Sequence, residues 1–399
     1  LCRWNIHAQL MRNPFTRVVL IAVASVVLLV FVAFMIWLFK PAKRLEVFIL
    51  DKTVPTQERR EHKSLHWVLN HHKYVDTNHD LYNLKEDYYG FFPINPEKEQ
   101  FDFRSLSIRD VDDISDSVDL AYYADTYGVY YNDWYTKEGP VVSGQQKVYG
   151  GLNHNDYLLL KALKEKGKTI VTEFVLLDKS ASGLVRKKTE DLLHLRWQGW
   201  IGRYFPSLDT GACPGWIIKL HRSQNKGRWP YTGPGIVLVH KYGKVMVLDT
   251  KKHLNSPLPM IITGSELGER SKLPGRIEYP NWFDIVQTDS TSRVMANFHL
   301  PTSARGDSLL GSHRLSSEFP AIIHHDGDYK FYYFAGDFSQ NPVSTTTSYF
   351  AGIKAIDFLF YNPNNNNSSA RFFWKYYIPL VEGIMKETHQ ESIASSANE

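Results

Sequence analysis

Residues 18–39 read VVLIAVASVVLLVFVAFMIWLF, twenty-two positions without a charge. As a helix rising 1.5 Å per residue, this run spans about 33 Å, close to the roughly 30 Å hydrocarbon core of a bilayer. Arg17 and Lys40 bracket it, and Trp37 sits where a membrane interface would fall. Ala22-Val23-Ala24 resembles a small-residue cleavage site, but an apolar run of about 15 residues comes after it, so the segment reads as an uncleaved transmembrane helix over 17–40. Arg3, Arg12 and Arg17 precede it, and Lys40, Lys43 and Arg44 come after it, so charge bias alone leaves orientation nearly tied. A short tail before a single anchor usually serves to display the domain on the anchor's other side. The expectation is therefore a cytoplasmic tail over 1–16 and a soluble part outside the cytoplasm, held by one span in the inner membrane. No second such run occurs after residue 45, and mean hydropathy is −0.32 even with the anchor included.

The 399 residues suffice for one large domain or two small ones. Aromatic content is 14 %, with 23 Tyr and 10 Trp, which suits either a large packed core or a site that stacks on flat ligands such as sugar rings. The formal charge is +4 and no Lys/Arg block exceeds three residues, so the footprint of a nucleic-acid binder is missing. Cys2 and Cys213 fall on opposite sides of the anchor, which excludes a disulfide framework and a cysteine-based zinc site. Cys213, in GACPGW, reads as an inert loop thiol.

Beyond the anchor, LEVFIL (45–50) is a short apolar strand ending at Asp51, and EHKSLHWVLNHH (61–72) an amphipathic helix. Residues 73–117 show few clear elements. VDLAYYAD (118–125) is a buried strand. In 149–168, Gly150-Gly151 make a turn, Asn153 caps a helix and Gly167 stops it. TIVTEF (169–174) is a strand carrying Glu173, with a helix after it over Ser182–Leu195. LRWQGWIGRYF (195–205) reads as a Trp- and Gly-rich loop, and 234–249 as a hairpin turning at Tyr242-Gly243. Short strands at 293–300 and 319–325 precede a strand over 328–338 that ends at Asp337. A helix around 349–360, a polar loop at 362–369, an aromatic helix over 370–387 and a disordered tail over 389–399 complete the reading. Strand–helix alternation in the first half implies an α/β fold, a mostly parallel sheet with helices on both faces, with an inserted β-hairpin region at 231–300. Ligands in such sheets bind beyond the carboxyl ends of the strands.

Four apolar runs end in an acid: Asp51, Asp125, Glu173 and Asp337. On neighbouring strands these carboxylates would crowd one rim and push at least one pKa upward, as acid catalysis requires. The plainer reading is that Asp after a strand makes a turn or caps a helix. Arg203 among Trp197, Trp200, Tyr204 and Phe205 could hold a carboxylate or sugar hydroxyls while the rings stack. His62, His66, His71 and His72 form no metal motif and read as solvated helix-face residues. No motif for a nucleotide, nucleophilic serine or cofactor occurs.

In the order LAYYAD, YGGLNHNDYLLLKALKEKGK, TIVTEF and, later, FYYFAGDF, the chain resembles the class I glutamine amidotransferase-like (flavodoxin-like) superfamily over about 45–205 and 319–360. The resemblance implies a fold whose strand 169–174 would end at a nucleophilic cysteine. Here Glu173-Phe174 stands at that point and Asp337 falls near the place of the family's histidine, so thioester chemistry on glutamine is ruled out. With an N-terminal anchor, the combination is similar to bacterial cell-envelope proteins. The implied protein is a non-catalytic, membrane-anchored domain over 45–388 that binds an envelope polysaccharide or a membrane-protein partner of its synthesis or export machinery. The binding residues expected are Asp51, Asp125, Tyr127, Gly150, Gly151, Trp197, Trp200 and Arg203, with Glu173 and Asp337 at the same rim. No metal or cofactor is expected. One alternative is a glycoside hydrolase with Glu173 and Asp337 as the acid–base pair; another is a purely structural subunit docking through the helix 370–387.

Overall fold

The computed structural model describes residues 14–136 and 146–396. Most of the expected 1–16 tail, with Cys2, Arg3 and Arg12, and the end of the 389–399 tail lie outside the described residues. The central element is a ten-stranded mixed sheet. Five neighbouring strands run parallel: Tyr89–Asn95, Val47–Asp51, Leu120–Asp125, Thr169–Glu173 and Lys330–Phe334. Gln100–Arg104 closes one side antiparallel. Glu318–Asp326, Arg293–His299, Met260–Thr263 and Arg276–Glu278 extend the other side, also antiparallel. The expected mostly parallel sheet is therefore only partly parallel. The central strands are VFILD, LAYYAD and TIVTE, nearly continuous apolar runs, as strands covered on both faces must be.

Adjacent side chains on a strand leave opposite faces, and Tyr122 and Tyr123 show what covers each. The Tyr122 hydroxyl meets Tyr377 at 3.1 Å, where the C-terminal helical run packs. Tyr123 donates 3.2 Å to the carbonyl of Asp156, on the His154–Glu165 helix. That helix begins with a reciprocal cap between Asn153 and Asp156. Asp156 is also held at 2.5 Å by Lys52, a fully buried ion pair that ties the helix to the strand-end loop after Asp51. Arg60–His72 packs against the C-terminal helix Ile378–Ser396 on the other face.

Several local expectations are corrected. Residues 195–205 are not a loop but one long strand, Leu195–Phe205, the centre of a second, antiparallel sheet with Gly235–His240, Val245–Asp249 and Trp282–Thr288. Residues 231–300 thus divide between the two sheets. Residues 345–349 and 353–359 form short 3₁₀ turns instead of a helix. Residues 389–396 are not disordered: they continue the helix to Ser396, with His389 on the Arg44 carbonyl and Ser392 on Asp119. His62, His66 and His71 are buried, not solvated: His62 and His66 share the helix face that meets the strand-end residue Asp51, while His71, on the opposite side, is covered by the chain at Ser348.

The N-terminal helix Pro14–Leu38 is long and apolar enough to cross a membrane, and its apolar side chains are exposed along most of its length. It is consistent with a signal anchor or a signal peptide.

Candidate functional site

The second sheet stands over the carboxyl ends of the parallel strands. Its strand Trp282–Thr288 hooks onto the chain leaving Lys330–Phe334: Asp284 N donates to Ala335 O at 3.0 Å and Asp337 N to Trp282 O at 3.0 Å. The two sheets thereby enclose an open cleft of about 1060 Å³. Its floor carries Asp125, Asp178 and Asp337; the facing wall carries Trp197, Arg203 and Trp282. A second cavity of about 920 Å³ adjoins it, sharing Pro55 and Asp133, so the depression continues as a groove.

The wall owes its shape to a bulge. Between Trp197 and Ile201 the register with Trp282–Thr288 shifts, and Gly199 takes φ +82°. A left-handed residue here is cheap only for glycine. The slip sets four residues of this strand against two of its neighbour, an even excess that preserves the alternation, so that Trp197, Ile201 and Arg203 share the face that reaches the cleft. Trp200 leaves the other way and packs, with tilted rings, against His240 and His313. The Arg203 guanidinium lies 5.7 Å from the rings of both Phe205 and Trp282, and its buried Nε has no hydrogen-bond partner among the described residues.

All four acids foreseen at strand ends sit at this end of the sheet, but they face different ways. Asp51 turns inward. Its Oδ2 lies 2.5 Å from His62 Nδ1, and His62 Nε2 faces the Leu84 carbonyl at 3.1 Å. With Nε2–H donating to that carbonyl, one proton remains between Nδ1 and Asp51. Burial raises the Asp51 pKa to about 8 and lowers that of His62 to about 3, which places the proton on the carboxyl. Glu173 also turns inward. It is 1 % exposed, with Oε1 taking the Tyr122 hydroxyl and Oε2 accepting from Phe338 N at 2.9 Å, Ser339 N at 3.0 Å and Ser339 Oγ at 3.1 Å.

Asp125 and Asp337 face the cleft. Asp125 Oδ1 accepts from Thr53 Oγ1 at 2.6 Å and Tyr127 N at 2.7 Å, leaving its other oxygen open. Burial, and then the neighbouring Asp51 carboxyl, with which it competes to ionise, push Asp125 up to about 8. Asp337 is likewise raised to about 8 by burial and by Asp125, against the opposing pull of Arg203. Tyr127 lines the cleft beside them. Gly150 and Gly151 do not. They let two loops touch: a Cβ on Gly150 would fall 2.1 Å from the Cα of Gly128, and the Gly151 carbonyl receives Lys52.

Sequence reasoning missed Asp178, Trp216 and Trp282. Asp178 comes after Glu173 in the same strand-end loop, where Val175 is held at φ +64°. A β-branched residue in that conformation is strained, and such strain concentrates at functional sites. Among the described residues no group of three or more His, Cys, Asp or Glu is arranged to hold a metal ion.

No family model matches this chain, and no curated protein matches it. Among solved structures, it is similar to a ThuA-like protein from Bacteroides uniformis at a TM-score of 0.33 and 10 % identity, covering 78 % of this chain and 90 % of that one. It is also similar to the β-galactosidase of Bacillus circulans sp. alkalophilus at a TM-score of 0.30 and 10 % identity, covering 74 % of this chain and 30 % of that one.

Proposed function

We propose that the chain is a membrane-anchored, amidotransferase-like α/β domain, displayed on the outer side of the cytoplasmic membrane, whose cleft binds a polysaccharide of the cell envelope. The observation that carries this reading is the pairing of half-open carboxylates on the floor, Asp125 and Asp337, with indole rings and an unsatisfied arginine on the wall, Trp197, Trp282 and Arg203. Sugars present hydroxyls in their plane and C–H groups on their faces; acids and arginine serve the first, indoles the second. The adjoining second cavity favours an extended chain over a single ring.

Binding without hydrolysis fits the fate of Glu173 better than catalysis does. A glycosidase pair must flank the scissile bond. Glu173 instead spends both oxygens on Tyr122, Phe338 and Ser339 and does not line the cleft. The test is a glycan array probed with the full chain in detergent micelles. The reading expects binding to acidic or neutral envelope polysaccharides, lost by about tenfold or more on Trp197→Ala or Asp337→Asn. Equal binding by both variants and the parent would refute it. Release of reducing ends that survives Glu173→Gln would place catalysis elsewhere on the rim.

A further inference from the structure

The junction between the N-terminal helix and the globular part carries no flexible linker. Trp37 is 5 % exposed, and its Nε1 donates 3.0 Å to Asn70 O. Lys73 Nζ reaches the carbonyls of Leu38 at 2.6 Å and Lys40 at 2.9 Å, and Lys40 Nζ reaches His71 O at 3.1 Å. A second segment, from the far side of the sequence, also touches this helix. The Tyr349 ring meets Trp37 edge-on at 4.8 Å, Phe350 lies 6.2 Å from Phe34, and Ala351 N donates 3.1 Å to Ala33 O. Ala33 lies five residues before Leu38, about 7.5 Å down the helix axis. If the helix spans a bilayer, residues 349–351 are already below the level at which it leaves the hydrocarbon.

The next stretch of chain is apolar on its outside. Ile356, Phe358, Leu359 and Phe360 are exposed, Phe358 at 56 % and Leu359 at 66 %. Lys354, just before them, lies within electrostatic reach of Lys40, the residue that closes the apolar run. Aromatic and aliphatic side chains beside a basic rim are what an interfacial membrane contact requires.

We propose that residues 349–360 form a membrane-embedded foot: a second, non-spanning attachment in which Phe358 and Leu359 enter the lipid beside the N-terminal helix. The inference rests on reading that helix as a retained anchor. Two attachments fix the tilt of the domain, where one helix would leave it free to swivel. The Arg60–His72 helix then measures the height of the cleft. His62, near its start, touches Asp51 at the acidic rim, while Asn70 and His71, near its end, hold Trp37 and Lys40. Eight residues of helix separate the two contacts, or about 12 Å. The acidic rim therefore stands about 12 Å along this helix from the residues that hold the anchor.

The test uses the full chain with Cys2→Ser and Cys213→Ala, reconstituted into vesicles of phosphatidylcholine and phosphatidylglycerol and recovered by flotation. A nitroxide is attached at Leu359→Cys, or, as the control, at Leu184→Cys, which is 68 % exposed and lies beyond the carboxyl end of the strand Thr169–Glu173. The foot predicts that the label at 359 is accessible to oxygen but shielded from a water-soluble nickel chelate by roughly fivefold or more relative to the label at 184. Equal nickel access at both positions overturns the foot while leaving the anchor intact. Shielding from oxygen as well as nickel means that protein covers the patch, and also overturns it. A chain that fails to float overturns the anchor and the foot together.

Discussion

If Asp337 is a carboxylate held at a raised pKa for the sake of a ligand, removing its charge should stabilise the protein, and increasingly so as pH rises. In the folded chain its pKa is about 8 against an ordinary 3.8, chiefly through burial and then through Asp125. Between those values the folded carboxyl keeps a proton that the unfolded chain has already released. Folding stability therefore falls as pH climbs from about 4 to 8. The steepest slope one such group can give is about 1.4 kcal/mol per pH unit, or about 4 kcal/mol from pH 5 to pH 8. Asp337 is only partly buried, and it borders an open cleft with Arg203 nearby, so water and that charge reduce the figure; we take about 1–2 kcal/mol. Asparagine has no proton to lose. The advantage of Asp337→Asn over the parent should therefore grow by that amount between pH 5 and pH 8. In urea unfolding of the full chain in micelles, with an m-value of about 3 kcal/mol/M, this appears as a relative midpoint shift of about 0.5 M. A gap that is flat with pH, or that narrows towards pH 8, would refute the electrostatic account of the rim.

Glu173→Ala should cost about 3–5 kcal/mol, because it strips the buried N–H groups of Phe338 and Ser339 of their acceptor, whereas Glu173→Gln should cost much less and leave glycan binding intact; paired urea and array measurements check both. Lys52→Met should destabilise by about 3–5 kcal/mol by leaving Asp156 buried without its partner, and Lys52→Met with Asp156→Leu should recover much of that loss in the same unfolding assay. Gly199→Val should weaken binding more than folding, since it disturbs the bulge between Trp197 and Ile201 on the wall of the cleft; a loss of stability with unchanged affinity would contradict this. An acidic sugar should bind more tightly at about pH 6 than at about pH 9, because Asp125 and Asp337, both raised to about 8, take up protons across that range and cease to repel its carboxylate; an affinity that drops on the same acidification would contradict the assignment.

The centre of the sheet was legible because VFILD, LAYYAD and TIVTE are apolar without a break, and only strands covered on both faces tolerate that. The edges were not. Leu195–Phe205 looked like a loop because its apolar residues fall on both faces, Trp197 and Ile201 on one and Trp200 and Tyr204 on the other, with Gly199 and Gly202 between them, so no period-two pattern marks it as a half-buried strand. Tyr89–Asn95 holds a proline, as a strand near the edge of a sheet can, and so gave no clear signal. Two of the buried histidines, His62 and His66, could have been found: 62, 65, 66 and 69 share one helical face, and the leucines at 65 and 69 already marked it as the inner one. The acids at strand ends could be read from element order, but their directions could not. Glu173 is turned by groups some 165 positions away, at Phe338 and Ser339, a relation that no local pattern carries. Trp282 reaches the cleft for the same reason, on a second sheet joined to the first by pairings distant in sequence such as Phe283 with Gly336.

The central claim is that one groove, floored by Asp125 and Asp337 and walled by Trp197, Trp282 and Arg203, is where the ligand sits. A structure of the full chain with a bound envelope oligosaccharide tests this most directly. The account predicts sugar density between Asp337 and Trp197, with a hydroxyl or carboxylate on the Arg203 guanidinium. Ordered sugar bound elsewhere on the molecule, with this groove holding only solvent, would contradict it.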